Sequence, residues 1–216
     1  MSMNANYLEP LPQVLLSPQT PDRLHRRRQI GNFRLGSLEM DRFNQLLSTL
    51  AGNQTHVDCD QVATAARLLV DSCSGRSTPA CIQQRLEQAD ALSQVLEDRA
   101  WAPANDAIAP AGTVLDYLRG QDGLIPDWIP QVGRLDDAIV IDTAWPRLAG
   151  EVLSYQDFCR LRLIEAHLHQ QEASAFRFDR NDWEVARRAE LALREHQRRV
   201  RASSYVPTAP GVFRVH

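Results

Sequence analysis

The sequence contains no lysine, so all 24 of its basic residues are arginine. An arginine-rich codon bias accounts for this directly, and selection against lysine modification is the competing cause. Long hydrophobic runs are missing too. No stretch approaches the roughly 20 apolar residues of a membrane-spanning helix, so no membrane span is expected. The first twenty residues, MSMNANYLEPLPQVLLSPQT, lack a basic segment leading into an apolar one. A secretory signal is therefore not expected, and a cytoplasmic location is. The four cysteines, Cys59, Cys73, Cys81 and Cys159, form no C-x-x-C pair, and no histidine completes a zinc pattern. Reduced, partly buried thiols are expected. Walker and other glycine-rich phosphate loops, G-x-S-x-G, H-E-x-x-H and EF-hand spacing are all absent, which removes the enzyme and calcium-binding classes that those motifs mark. The net charge of −3 over 216 residues does not make the whole molecule a trap for nucleic acid or anionic membrane.

What is present is helical. Strict period-two alternation is not sustained anywhere, whereas helical spacing recurs from Ser37 onward. Leu38, Phe43, Leu46, Leu47 and Leu50 form one stripe, closed by Gly52. Asp58 with Gln61 three residues on reads as a capping box. Thr78 and Pro79 read as the N-cap and first position of the next helix. Ile82, Leu86, Ala89 and Leu96 share its apolar face, which Leu92 and Val95 widen. The segment APANDAIAPAG reads as a break, followed by a short helix TVLDYLRG. RLDDAIVIDTAW reads as a helix stopped by Pro146, and Ser154 as the N-cap of another. In that helix Phe158, Leu161, Ile164 and Leu168 face one way. Asn181 and Glu184 read as the capping box of the last helix, whose apolar side holds Trp183, Ala186, Leu193 and Val200. The expectation is an all-α protein: a single bundle of about seven helices over 37–202, an irregular arm over 1–36 and an extended tail over 203–216.

The least ordinary stretch is DGLIPDWIPQVGRLDDAIVID, residues 122–142, with five aspartates and two Ile-Pro steps. Each isoleucine before a proline is driven to extended backbone. Ile125 and Ile129, with Trp128, are expected to point into a core while the chain turns. Gly133 permits positive φ or close backbone approach. Asp136 and Asp137 fall in the first turn of a helix, where carboxylates interact well with free N–H groups and the dipole. The competing reading gathers Asp122, Asp127, Asp136, Asp137 and Asp142 around magnesium or calcium, since both prefer oxygen ligands. Adjacent residues on a helix diverge by about 100°, which separates Asp136 from Asp137. Asp127, Asp136 and Asp137 are the ligands that this alternative needs.

The same residues resemble the signature of the YkvA-like family, a bacterial family without an established reaction. The likeness rests on Ile125, Pro126, Asp127, Gly133, Leu135, Asp136 and Asp137, and on SYQDFCRLR at 154–162. It covers residues 112–163. The family's usual first aspartate is Gly123 here, with Asp122 one place earlier. The resemblance implies a helical hairpin in which these residues are structural, and it implies no catalytic set.

Other candidates are ordinary surface features. Glu165 and His169 are one helical turn apart and read as a surface pair. Cys159 reads as a buried, inert thiol. Charge is segregated: residues 106–142 hold seven acids and two arginines, and residues 176–201 hold eight arginines and five acids. Arg187, Arg194, Arg198 and Arg201 fall on nearby faces of the last helix. They are candidate contacts for an anion or a partner. Glu184–Arg188, Glu190–Arg194 and Glu195–Arg199 pairs are expected beside them. A second short basic run, RLHRRR, occupies 23–28. These features favour a non-enzymatic protein–protein interaction or regulatory module. The alternatives are a magnesium- or calcium-dependent enzyme using the aspartate loop, and nucleic-acid binding through 181–202.

Overall fold

The computed structural model describes residues 8–16, 27–53, 55–73, 75, 77–120 and 123–203. Among them are six α-helices: α1 Ser37–Ala51, α2 Cys59–Ser72, α3 Ala80–Glu97, α4 Asn105–Arg119, α5 Leu135–Leu168 and α6 Arg180–Ser203. A 3-10 turn, Gln13–Leu16, and a two-stranded antiparallel hairpin, β1 Gln29–Ile30 with β2 Phe33–Arg34, precede them. The all-α expectation holds at that level. Six helices replace about seven because one pair fuses.

The fusion occurs at Pro146. Residues 135–168 form one helix of 34 residues with Pro146 inside it, and Ser154 lies in its middle instead of capping a new one. Pro110 likewise sits inside α4, which begins at Asn105 and not after the APANDAIAPAG segment. A proline removes one helical hydrogen bond and costs about 3 kcal/mol in an isolated helix. Here apolar residues on both sides of each proline are buried: Ala107, Ala111 and Val114 around Pro110, and Ile141, Ala144 and Leu148 around Pro146. That burial outweighs the lost bond.

Residues 8–16 and 27–36, the described part of the expected irregular arm, carry a 3-10 turn and a hairpin. Leu11, Leu15, Ile30 and Leu35 are buried. Gln61 donates from its side chain to the Val14 carbonyl at 3.1 Å, tying the 3-10 turn to α2. Gly31, at φ +57°, supplies the left-handed turn residue that a tight hairpin requires. The tail from 204 onward and residues 1–7 and 17–26 lie outside the described residues, as does Asp122.

Two compact units divide the chain, Met1–Asp157 and Phe158–His216, where a single bundle is expected from sequence. In the first, Phe43, Leu47 and Leu50 of α1, Val62 and Ala66 of α2, Ile82, Leu92 and Val95 of α3, Val114 of α4 and Leu148 of α5 supply the core. Leu38, counted in the α1 stripe, is exposed, and Met40 takes the buried place. Asp58 and Gln61 form the expected capping box. Thr78 does not cap α3: Pro79 stands at the N-cap and no side-chain cap bond forms. Buried Asn44 bonds both the N–H (2.8 Å) and the carbonyl (2.9 Å) of Val57, which fixes the α1–α2 connection.

In the second unit, the end of α5 and the loop before α6 carry an aromatic stack. Phe158 stacks on Phe178 (5.6 Å), Phe178 on Phe176 (6.3 Å) and Phe176 on His169 (5.5 Å). The Arg162 guanidinium lies 4.9 Å from the centre of the Phe158 ring. His169 is thus a stacking partner. Ile164 and Leu168 are exposed, so the buried face expected of this segment narrows to Phe158 and Ala166. The cap of α6 lies two residues earlier than the sequence reading places it. Asp179 accepts from the Asp182 N–H (3.1 Å) and Asp182 accepts from the Asp179 N–H (3.0 Å), a reciprocal box made by two aspartates. Leu193 and Val200, expected on an apolar side, are exposed.

Candidate functional site

The aspartate loop connects α4 to α5 within the first unit. Its geometry starts from Tyr117, in the last turn of α4. The Tyr117 hydroxyl donates to Asp136 Oδ2 at 2.7 Å and accepts from the Leu124 N–H at 3.1 Å. The Ile125 N–H donates to the same Oδ2 at 3.1 Å. One carboxylate oxygen in the first turn of α5 thereby ties the end of α4 and the start of the loop together. Leu124 and Ile125 are buried beside it. A Cβ on Gly123 would lie 3.2 Å from Asp136 Oδ2, so the smallest residue stands where the chain passes the carboxylate. An aspartate side chain at this position would meet a buried acid.

Gly133 serves close approach and not a left-handed turn. A Cβ there would stand 2.6 Å from the Asp127 carbonyl oxygen and 2.8 Å from its carbonyl carbon. Between these contacts the loop is turned by bonds from the Ile129 N–H to the Pro126 carbonyl (3.0 Å) and from the Gly133 N–H to the Ile129 carbonyl (3.0 Å).

Asp136 and Asp137 are 1% and 6% exposed, so they are not the solvated helix-start residues that their place in sequence implies. Asp136 Oδ1 has no hydrogen-bond partner among the described residues. Burial raises the Asp136 pKa against the bonds from Tyr117 and the backbone N–H groups. Asp137 is bonded by Arg134 Nε. Burial, then the charge of Asp136, push its pKa up to about 6 against the pull of Arg134. Burial, then the Asp136 charge, likewise push the Tyr117 hydroxyl up.

The sign of the pH effect follows. A carboxyl whose folded pKa exceeds its ordinary value of 3.8 contributes stability that is complete below that value and is lost as pH rises through about 6. Between about pH 4 and pH 7 the wild type is therefore expected to lose roughly 1–3 kcal/mol relative to Asp137→Asn, whose amide does not titrate. Urea unfolding of both proteins across that range measures the difference. Parallel stability curves would show that Asp137 titrates normally.

The remaining acids of the stretch are separated. Asp127 is exposed and stands 3.8 Å from Arg134 Nε. Asp142, about two turns along α5, is held by Arg85 of α3, with Nη2 at 2.7 Å and Nε at 2.9 Å. Buried Arg85 also donates to the carbonyls of Glu9 (2.7 Å) and Cys81 (3.0 Å). Asp127 and Asp137 thus both face the Arg134 guanidinium, while Asp136 is bonded by Tyr117 and Ile125. Among the described residues no group of three or more histidine, cysteine or acidic side chains is placed to hold a metal ion.

Beside the loop lies a cleft of about 500 Å³. Phe43 and Leu46 of α1 and Phe33 of β2 line one side, and Tyr117, Leu124 and Pro126 line the other. Glu39 and Arg42 stand at its rim. The Phe43 and Tyr117 rings are 5.9 Å apart. Trp128, expected in a core, is 71% exposed, and its ring meets Phe33 edge-on at 6.5 Å. The two isoleucines behave as expected and are buried, while the tryptophan between them points outward. Trp128 lies inside the turn closed by the Ile129 N–H bond to the Pro126 carbonyl, and so does not share the inward direction of the two isoleucines.

Sequence reasoning did not identify Arg85, nor the part played by Tyr117, Phe33 and Phe43. The one available signal was negative: two adjacent carboxylates ahead of a strongly apolar helix need donors, but Tyr117 and Tyr155 both lie 19 residues from Asp136, so distance along the chain does not choose between them.

On α6, Arg187 and Arg194 both bond Glu190, the latter at 2.5 Å, and Arg199 bonds Glu195 at 3.4 Å. Glu184 pairs with Arg180 at 3.4 Å, while Arg188 bonds the Glu184 carbonyl instead of its carboxylate. Of the four candidate contact arginines, Arg198 and Arg201 have no ion-pair partner among the described residues. Cys159 is half-buried and Cys81 is buried, and all four cysteines are free. No helix among the described residues is long and apolar enough to cross a membrane. Comparison with protein-family models, with curated proteins and with solved structures finds no match.

Proposed function

We propose that this chain is a non-enzymatic interaction module whose protein partner docks on the cleft beside the aspartate loop, with Trp128 as the anchor. One observation carries this reading. Trp128 is 71% exposed on a loop that two prolines, Gly133 and the Asp136 bonds hold in one shape. Tryptophan is enriched among residues that dominate binding energy, and a pre-shaped loop loses little entropy on docking. The adjoining cleft, walled by Phe33, Phe43, Leu46 and Leu124, suits an apolar side chain of the partner. Glu39 and Arg42 offer one acceptor and one donor at the rim, the complement of a polypeptide backbone.

The carboxylates support the same reading by their occupation. Asp136, Asp137 and Asp142 are each engaged by a group that the fold needs in place. Membership of residues 112–163 in the YkvA-like family belongs to this proposal, supported by the structural roles of Ile125, Gly133 and Asp136, and so does a cytoplasmic location. Nucleic-acid binding is the second reading, favoured by Arg198 and Arg201 on the exposed half of α6.

A photoreactive aromatic at position 128, introduced in the native cell, tests the first reading. Its cross-linked polypeptide, purified, is expected to bind the wild type and to lose about ten-fold or more in affinity for Trp128→Ala. Unchanged affinity would refute the docking site. A salt-sensitive gel shift lost in Arg198→Gln/Arg201→Gln would support the nucleic-acid reading instead.

A further inference from the structure

Helix α6 leaves its apolar side open. Val185, Ala189, Ala192, Leu193, His196 and Val200 fall within an arc of about 100° at 3.6 residues per turn. All six are exposed, Val185, Leu193 and Val200 by 52%, 56% and 51%. The half-buried residues of this helix, Arg180, Trp183, Ala186, Arg187 and Glu190, centre about a third of a turn away. From Leu191 to Ala202 every residue is exposed. Helices in proteins owe most of their stability to an apolar face packed on other segments. This half of α6 draws little such cover from the described residues.

Glu184, Arg188, Glu195 and Arg199, all exposed, run along one edge of the apolar stripe. Their order is acid, base, acid, base. Their contacts within α6 are slack. Glu184 stands 3.4 Å from Arg180, Glu195 stands 3.4 Å from Arg199, and Arg188 reaches the Glu184 carbonyl at 3.3 Å. Exposed pairs of this kind hold weakly and exchange readily.

We propose that α6 is a dimerisation helix, paired antiparallel with α6 of a second copy of this chain about a two-fold axis between Ala192 and Leu193. In that register Val185 meets Val200 of the second copy, Ala189 meets His196, and Ala192 meets Leu193. Two of these three contacts set a small side chain against a larger one. The charged edge, reversed in the second copy, reads base, acid, base, acid. Glu184 then lies beside Arg199 of the second copy and Arg188 beside Glu195, and the two-fold axis repeats both pairs. Charge of this kind selects partner and orientation, while the apolar stripe supplies the affinity. An isologous contact closes on itself and stops at two copies. An anionic membrane is the poorer occupant. Glu184 and Glu195 border the stripe where headgroup phosphates would lie, and the stripe holds no aromatic ring. Arg187, Arg194, Arg198 and Arg201 project from the opposite side of α6 and stay outside the contact. The stripe shares no residue with the Trp128 cleft, so its failure would leave the interaction reading untouched.

Sedimentation equilibrium of the full chain is the test. A reversible monomer–dimer equilibrium at micromolar concentration is expected, with no larger species. Leu193→Glu is expected to weaken the dimer about ten-fold or more without altering the circular dichroism spectrum, because the side chain is exposed in the single chain. Arg188→Glu sets like charges together at two places and is expected to weaken the dimer about ten-fold. Arg188→Glu/Glu195→Arg restores opposite charges in the antiparallel order and is expected to recover the wild-type affinity. A loss of helix stability alone would not be recovered in this way. A chain that stays monomeric, a dimer that Leu193→Glu leaves intact, or a double variant no tighter than Arg188→Glu would each overturn the proposal. So would binding to phosphatidylglycerol vesicles, lost in Leu193→Glu, by a chain that forms no dimer in solution.

Discussion

Gly133→Ala is expected to destabilise the first unit by about 3 kcal/mol, which in a chain of this size lowers the unfolding midpoint by roughly 10 °C. The added methyl would sit 2.6 Å from the Asp127 carbonyl oxygen and 2.9 Å from its Cα. These are backbone atoms, so no side-chain rotation relieves the overlap. The turn from Asp127 to Gly133 must open, and the Ile129-to-Pro126 and Gly133-to-Ile129 bonds open with it. Gly150, inside α5, is the control. A Cβ there meets nothing within 4 Å. Gly150→Ala is expected to be neutral or to stabilise by up to about 1 kcal/mol, because alanine restricts the unfolded chain more than glycine. Thermal unfolding of both variants followed by tryptophan fluorescence measures the contrast. Equal effects at the two positions would mean that the loop adapts freely around residue 133. The interaction proposal would then lose the rigidity on which the exposed Trp128 depends.

Asp136→Ala is expected to cost about 2–4 kcal/mol, whereas Asp136→Asn costs no more than about 1. Alanine leaves the Tyr117 hydroxyl and the Ile125 N–H without their shared acceptor in a buried place. Each unsatisfied donor costs about 1–3 kcal/mol, partly offset because a buried carboxylate is removed as well. Asparagine keeps one carbonyl oxygen where Oδ2 stands and carries no charge. Its amide takes the place of Oδ1, which has no bond to lose among the described residues. Because burial raises the Asp136 pKa, the carboxylate weakens the fold as it ionises, and the asparagine variant does not. The asparagine protein is therefore expected to gain on the wild type as pH rises, in the same direction as Asp137→Asn. Chemical denaturation of all three proteins at acid and neutral pH gives the comparison. If alanine and asparagine cost the same, the two hydrogen bonds do not fasten the loop.

These two positions show where sequence reading succeeds and where it stops. That Asp136 and Asp137 open a helix follows from residues within one turn of them, whereas the sequence leaves Gly133 between positive φ and close approach, and the Asp127 backbone against it decides the matter. That the two acids are buried does not follow, since it depends on Tyr117, 19 residues away. Arg85 and Asp142 are 57 apart. Nothing near Asp142 in the chain identifies its partner, and a loose cluster of acids reads as a metal set until each acid has been assigned a neighbour. Trp128 is the converse. Its size and apolar ring argue for a core, yet the prolines on either side fix the backbone so that Ile125 and Ile129 turn inward and the indole turns out.

The helical class, the Asp58–Gln61 cap and the helix-opening place of the paired aspartates were decided by the sequence alone, because periodicity and capping are contacts over three or four residues. Whether Pro110 and Pro146 end their helices, whether the residues ahead of α1 stay loose, and which face of the last helix finds cover were decided only in the folded chain. Each of those turns on a comparison between a local cost of a few kcal/mol and apolar surface supplied by segments far along the sequence. The capping box of α6 falls between these cases. The local rule was sound, but two candidate boxes, Asn181–Glu184 and Asp179–Asp182, lay within two residues of each other, and the folded chain uses the second.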